Sequence, residues 1–351
     1  MLLKQEIEKM VEQSYHKLYQ VASPAVRYYL LTEVKLKGRE DRVVQQTFKE
    51  LETYPPRARL LHTLREDGTW PIPHQRKLAE DAGPGPPVGW TMVTMLRNLQ
   101  ELSEYFTPIG EGRVMTAIEK LLSWQTPEGY IPGPTADGFP MPQYNGSALR
   151  NVCVFGLAKD PRVKRLVDWL LRMQRPDGGW VIPYVEDVRY LPEYRNMKMP
   201  DFLELVREMD WKDYDPKEYP ETPSCIWTTM MVVRGMYQTD MRLSREVRRG
   251  ADFFLDRFFK RNYHPAFYQS ETNWTRLKYP TYFGSGICAL DLLQGLNYGP
   301  DDPRLDKPVR WLMSQRSKDG FWSQSARPDP YRDHWITAIA LLVLSWYGSM
   351  L

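Results

Sequence analysis

"RVKRLVDWLLRM", Arg162 to Met173, runs straight into "QRPDGGW", Gln174 to Trp180. In the first stretch Val163, Leu166, Val167, Leu170 and Leu171 fall at i, i+3, i+4, i+7 and i+8, which is one face of a helix. Asp160-Pro161 in front supplies an N-cap and a proline at the first helical position. Asp177-Gly178 stops the helix, because glycine takes the left-handed conformation that ends one. A tryptophan follows at once. The same order returns in "DPRLDKPVRWLMSQRSKDGFW", Asp302 to Trp322.

The unit repeats around the chain. Arg followed by Val or Leu opens an amphipathic helix at Arg42, Arg113, Arg162, Arg242 and Arg304. The stop recurs as Asp67-Gly68 with Trp70, Glu128-Gly129 with Tyr130, Asp177-Gly178 with Trp180 and Asp319-Gly320 with Trp322. The fourth unit lacks it and reads "RFFKRNYHPAFYQS" instead. Proline in "WPIP", "YIPGP" and "WVIP" then forbids helix and carries the chain to the next unit.

Ahead of each amphipathic helix lies a more apolar one, at about 24–37, 89–103, 145–157, 224–238 and 283–297, with a last one at about 333–347. Apolar residues on all sides mark burial all round. The helix at about 2–20 has no buried partner before it, and 333–347 has no amphipathic partner after it. Each completes the other if the ends of the chain meet. The expected fold is therefore all-α: an (α/α)6 toroid, six inner helices within six outer ones, forming one domain over 1–351. An open solenoid is the competing arrangement, but it wants polar end caps, and "WITAIALLVLSWYGSML" is not one. The segment 184–223 is too long for a plain connection and reads as an insertion with one short helix at about 200–209. It is expected to form a lid or wall carrying Asp210, Asp213 and Asp215, or else a solvated acidic loop.

Composition narrows function by exclusion. The net charge of +3 gives no electrostatic reason for nucleic-acid binding. No run of about 18 apolar residues suits a membrane span, while peripheral membrane contact is compatible with the sequence. The N-terminal stretch has no apolar core of a signal peptide, and Cys153, Cys225 and Cys288 are scattered singly, so a reducing, cytoplasmic setting is expected. Twelve Trp and 21 Tyr suggest a large cavity wall or thick helix packing.

The Gln174–Trp180 and Gln315–Trp322 segments resemble the Gln–Trp repeat of squalene–hopene and oxidosqualene cyclases, and the helix-pair unit resembles that of protein prenyltransferase β-subunits. The resemblance to this terpenoid cyclase and prenyltransferase α/α-toroid superfamily covers roughly 24–347. It implies a hydrophobic, isoprenoid-type ligand in an aromatic central cavity. The family's motifs are incomplete. The acidic Asp-x-Asp-Asp tetrapeptide of the cyclases is absent, "EMDWKDYD" at Glu208–Asp215 being another pattern. At the position of the prenyltransferase zinc ligands "PTYFGSGIC" has neither Asp nor a close Cys, and "RDHWITA" offers only Asp333 and His334. One ligand is not a metal site, so neither metal nor cofactor is expected. The same ring hosts polysaccharide lyases, glycoside hydrolases and non-catalytic binding proteins, which stand as alternatives.

In such a ring the inner-helix N-termini share one rim, where unpaired N–H groups favour an anion. The expected ligand wall there is Trp90, Tyr144, Asn145, Trp227, Tyr282 and Trp335, with Arg150 a turn further in. Rim aromatics serve equally as core packing. Asp333 and His334 are the candidate acid–base pair, and the alternative is a helix cap. Arg276 and Lys278 resemble in placement the basic residues that hold diphosphate in prenyltransferases, although exposed loop charges usually face water. Substrate, oligomeric state and any partner subunit are not legible.

Overall fold

The computed structural model describes residues 2–72, 89–133, 138–183, 185–209, 214–262, 269–279 and 284–351. These residues form helices, turns and two isolated β-bridges, with no strands among them. The inner helices are α2 (Pro24–Tyr29, continued by a wider π-type stretch Leu30–Val34), α5 (Gly89–Glu104), α7 (Pro142–Val152, continued by Cys153–Leu157), α11 (Ile226–Met236), α13 (Gly286–Gly295) and α15 (Pro330–Met350). The outer ones are α1 (Leu2–Val21), α3 (Arg42–Glu52), α6 (Gly112–Leu122), α8 (Pro161–Arg172), α12 (Arg245–Leu255) and α14 (Asp306–Ser314). A further helix, α4 (Pro55–Thr63), lies between the first two units, and α9 (Val185–Tyr190) and α10 (Met199–Glu208) lie in the insertion. Neither α4 nor α9 is in the sequence reading; both are short.

The chain ends meet. Helix α1 packs along α15, and α15 also touches α2, so the last inner helix closes on the first. Ile7 packs where Gly348 has no side chain, Arg316 Nε donates to Ser14 Oγ at 2.8 Å, and Lys17 Nζ donates to the Asp319 carbonyl at 2.8 Å. The fold is the expected α/α toroid.

The repeated turn is a joint between units. Gln174 Nε2 donates to the Gly178 carbonyl of its own turn at 2.9 Å and to Glu246 O, at the start of the next outer helix, at 2.8 Å. Gln125 does the same with Gly129 O and Arg162 O, both at 2.8 Å. Gly178 has φ +93, and a Cβ there would lie 2.8 Å from the Arg249 carbonyl of α12. Only glycine meets both demands. The tryptophan is then fully buried, its indole N–H donating back to the helix just ended: Trp70 to Leu60 O at 2.8 Å, Trp180 to Leu170 O and Trp322 to Leu312 O, each at 2.7 Å. A threonine of the next inner helix accepts the Trp backbone N–H: Thr229 from Trp180 at 2.9 Å, Thr337 from Trp322 at 3.0 Å. In the fourth unit, where the turn is missing, Trp274 takes this place and donates to Lys260 O at 2.9 Å.

Of the arginines that open the outer helices, Arg162 and Arg304 tie their helix to the previous one. Arg162 grips Glu119 at 2.6 Å and Asp160 at 2.7 Å, and Arg304 reaches Asp252 and Asp256 at 2.7 Å. The backbone pairs Cys225 with Trp180 at 2.9 Å, so the insertion leaves the ring and returns to the same place. Val188, Phe202 and Val206 of the insertion form a small second core with Phe139. Asp215 caps a short turn, accepting from the Lys217 N–H at 2.9 Å, while Asp210 and Asp213 lie outside the described residues.

Candidate functional site

Six inner helices, each apolar on most sides, would enclose a dry ring. Three of them break that pattern inside the ring with an ionisable residue, Arg150 on α7, Arg234 on α11 and Asp291 on α13, and Glu104 joins them from the end of α5. These residues, with Glu33 beyond α2 and Trp335 of α15, line one chamber of about 650 Å³. Every inner helix therefore contributes. The chamber takes the C-terminal half of α2, α5, α7, α11 and α13, but Trp335, Ile339 and Leu342 from the first half and middle of α15, so it lies mostly away from the rim expected from the sequence. Leu36 and Arg39, both exposed, are among its lining residues, with the half-buried Gln238 and Gln294. Helix dipoles there present partial negative charge, not the positive charge expected.

One wall is aromatic. The rings of Trp335 and Tyr279 stack at 5.3 Å with 11° between planes, and Tyr29 meets Trp335 edge-on at 5.5 Å. The buried Trp335 Nε1 donates to no acceptor among the described residues. The other walls are charged. Tyr279 Oη donates to Glu104 Oε2, and Gln100 Nε2 donates to Glu104 Oε1 at 2.9 Å. Burial, reinforced by Glu104, holds the Tyr279 phenol well above its ordinary range, so it stays a proton donor. Arg150 Nη1 donates to Ser103 Oγ and Asn151 Oδ1, both at 3.1 Å. Burial first, then the like charge of Arg234, brings the Arg150 guanidinium down to about 10. Asp291 makes no hydrogen bond among the described residues. Burial pushes its carboxyl up, against the opposing pull of Arg234 and Arg150. An unbonded carboxyl group, a guanidinium with unused N–H groups and an aromatic wall thus face one space.

Of the residues singled out in the sequence, Arg150 and Trp335 belong to this chamber. Trp90 and Tyr144 line a separate pocket of about 310 Å³ between α5 and α7, with Trp90 63% exposed. Asn145 is a pin: its Oδ1 accepts from Ile131 N at 2.8 Å, and its Nδ2 donates to Ile131 O at 3.0 Å. Trp227 is core, packed on Trp274 at 4.9 Å. Asp333 accepts the backbone N–H of Gln324 at 2.9 Å and of Asp329 at 3.0 Å, so it ties down the loop before α15, whose N-cap is Asp329. His334 lies against Phe321 at 6.0 Å and lines none of these cavities; burial lowers its pKa, with Asp333 opposing. Asp333 and His334 thus face different surroundings. Arg276 is exposed, and Lys278 is half-buried and lowered by burial and by Arg276; neither lines the chamber, although Tyr279 beside them does. Tyr282 lies outside the described residues. None of the described residues of the insertion lines the chamber or the α5–α7 pocket.

Glu33, Glu104, Arg234, Asp291, Tyr29 and Tyr279 are absent from the sequence reading. A signal existed for two of them. "IWTTMMVVRGM" and "GICALDLLQG" each carry one charge deep in an apolar helix, as "NGSALRNVCVFGL" does for Arg150. Among the described residues no group of three or more His, Cys, Asp or Glu side chains is placed to hold a metal ion. No helix of these residues is long and apolar enough to cross a membrane.

No family model matches the chain. Over 172 residues it is 27% identical to a squalene–hopene cyclase of Bradyrhizobium diazoefficiens, a match that spans 48% of this chain and 22% of that cyclase. Among solved structures, a protein from Actinoplanes aligns with TM-score 0.48 and 13% identity, covering 98% of this chain and 100% of its own. The type II terpene cyclase MstE from Scytonema, in a variant complexed with geranylgeranyl dihydroxybenzoate (substrate), gives 0.48 and 14%, covering 99% of each chain. The closed ring of helix pairs, together with the sequence similarity, gives this chain a terpenoid cyclase-like architecture.

Proposed function

We propose that the ring binds a hydrophobic, isoprenoid-type ligand in its central chamber and transfers a proton to it, with Asp291 as the acid. The observation that carries this is the unbonded Asp291 carboxyl in the same chamber as the Tyr29–Trp335–Tyr279 wall. Burial raises the Asp291 carboxyl above the ordinary carboxylate range, which favours its protonated, proton-donating form. Stacked rings beside it stabilise positive charge on the substrate through their electron-rich faces. The similarity to a squalene–hopene cyclase supports the ligand class. The chamber is more polar than the aromatic cavity expected, so the ligand carries a polar end as well, facing Arg150 and Arg234.

A second reading has its own observation. Glu33, Glu104 and Asp291 are three carboxyl groups in one polar chamber, which suits a glycoside hydrolase or lyase. One experiment separates the two. The purified protein is extracted and its bound small molecules identified by mass spectrometry, then incubated with prenyl alcohols and prenyl carboxylates and, in parallel, with acidic and neutral oligosaccharides. A co-purifying isoprenoid, or conversion of a prenyl compound that Asp291→Asn abolishes, supports the proposal. Cleavage of an oligosaccharide with no prenyl binding overturns it.

A further inference from the structure

A second cavity of about 690 Å³ opens beside the chamber. It runs between outer helix α3 and the connection from α5 to α6, at the seam of the first two units. Arg39, Ser103, Phe106 and Val154 line both cavities, so the two adjoin along these four residues. Their chemistry differs. The side groove is walled by Tyr28, Val44, Phe48, Pro108 and Ile109, and its charged residues are all exposed: Lys49 and Glu52 on α3, and Arg39 just before it. The chamber carries the ionisable residues described above, most of them half-buried.

Phe106 stands at the junction. Its φ is 51°, a left-handed conformation that glycine takes freely and phenylalanine takes at a cost of about 1–2 kcal/mol. Its ring packs on Tyr28 at 4.4 Å, on the groove side. Ser103, one turn back, accepts from Arg150 at 3.1 Å, on the chamber side. Across from Phe106, Ile109 is 70% exposed and leans over Gly156, where a Cβ would come within 2.7 Å of it. The polarity therefore changes across the residue pair Ser103 and Phe106. Arg150 has further N–H groups, Nε and Nη2, that donate to no acceptor among the described residues, so the chamber end has a cation ready for an anion.

We propose that chamber and groove are one bipartite site for an amphiphile with an anionic head: the head lies on Arg150, and the apolar chain passes Phe106 into the groove between α3 and the α5–α6 connection. This rests on the proposed ligand class and adds its polarity, its orientation and a second berth. A chain lying in the groove leaves the reacting part of the ligand beside Asp291 and the aromatic wall, and leads the far end of the chain out through the seam. The groove's volume, about 690 Å³, lies within the range of small-molecule sites.

The test uses the intact chain and straight-chain carboxylates of 8, 12 and 16 carbons, with the matching alcohols, below their micelle concentrations. In the wild type, affinity should rise about fourfold per methylene buried, and each carboxylate should bind tighter than its alcohol. Gln45→Trp fills the groove from exposed α3, and Ile109→Glu charges its lip. Both should keep the 8-carbon affinity within about twofold and lose most of the gain at 16 carbons. Arg150→Met should remove the preference for carboxylate over alcohol at every length, with the length dependence intact; melting curves check that it folds. An unchanged length dependence in both groove variants overturns the groove assignment while leaving the chamber ligand standing. Failure of the wild type to bind any alkyl or prenyl compound overturns the proposed ligand class, and the groove with it.

Discussion

Arg175 and Asp187 form an ion pair at 2.9 Å with their side chains 1% and 0% exposed, joining the repeated turn to the first helix of the insertion. The contact lies off the hydrogen-bonding direction, and Arg175 Nε and Nη1 find no well-aligned acceptor. Support comes from around it: Arg175 Nη2 donates to Tyr219 O, and Tyr214 Oη donates to Asp187 Oδ2. Burial raises the Asp187 carboxyl while Arg175 pulls it down. Removing one partner leaves a buried unpaired charge, so Asp187→Asn or Arg175→Met should each cost about 3–5 kcal/mol. The double variant Arg175→Met/Asp187→Leu should recover most of this, measured by denaturant unfolding. If each single change costs under about 1 kcal/mol, the pair does not hold the insertion.

The turn itself should be worth less per residue but repeat around the ring. Trp180→Phe keeps the buried ring but leaves the Leu170 carbonyl without its donor, for a loss of about 1–3 kcal/mol. Gln174→Ala removes two hydrogen bonds, one within the turn and one across the seam, and should cost about 1–3 kcal/mol. Equal effects at Trp322 would show that the seams are equivalent. Thermal unfolding of the four proteins reads this directly.

Asp291→Asn separates chemistry from binding. The amide fills the same space and cannot donate an acidic proton. Turnover of a converted ligand should fall about 10²–10⁴-fold, with KM changing little. A variant that loses binding and turnover together would make Asp291 a ligand-holding group instead.

His334 gives a pH test. Its pKa is lowered in the fold by burial, so the folded state prefers the neutral ring. A group whose folded pKa lies below its unfolded value contributes stability above the unfolded pKa, about 6.5. That contribution is lost as pH falls through 6.5 toward the folded value. The melting temperature should therefore drop between pH 8 and pH 5, and His334→Gln should reduce the drop. Since His334 lines neither the chamber nor the groove, the same variant should leave ligand affinity unchanged. A large loss of affinity would restore His334 as a site residue.

The sequence by itself determined the ring. Caps, apolar periodicity and the glycine stop act within a few residues, so Asp160-Pro161 and Asp177-Gly178 predict α8 and its end without reference to anything distant. The count of unpaired helices even predicted that α1 and α15 would meet. Tertiary structure alone decided the site. An inner helix that is apolar on most sides does not announce which face turns toward the axis, nor at what height a cavity opens. Arg150 signalled its own position by being charged in an apolar helix, and Arg234 and Asp291 carry the same mark. Glu104, Tyr279 and Trp335 became neighbours only because α5, the loop before α13 and α15 converge on one axis from 101–106, 274–279 and 330–339. Asp333 and His334, adjacent in sequence, point into different surroundings for the same reason: neighbours on a helix lie about 100° apart, so one can tie down a loop while the next packs on Phe321.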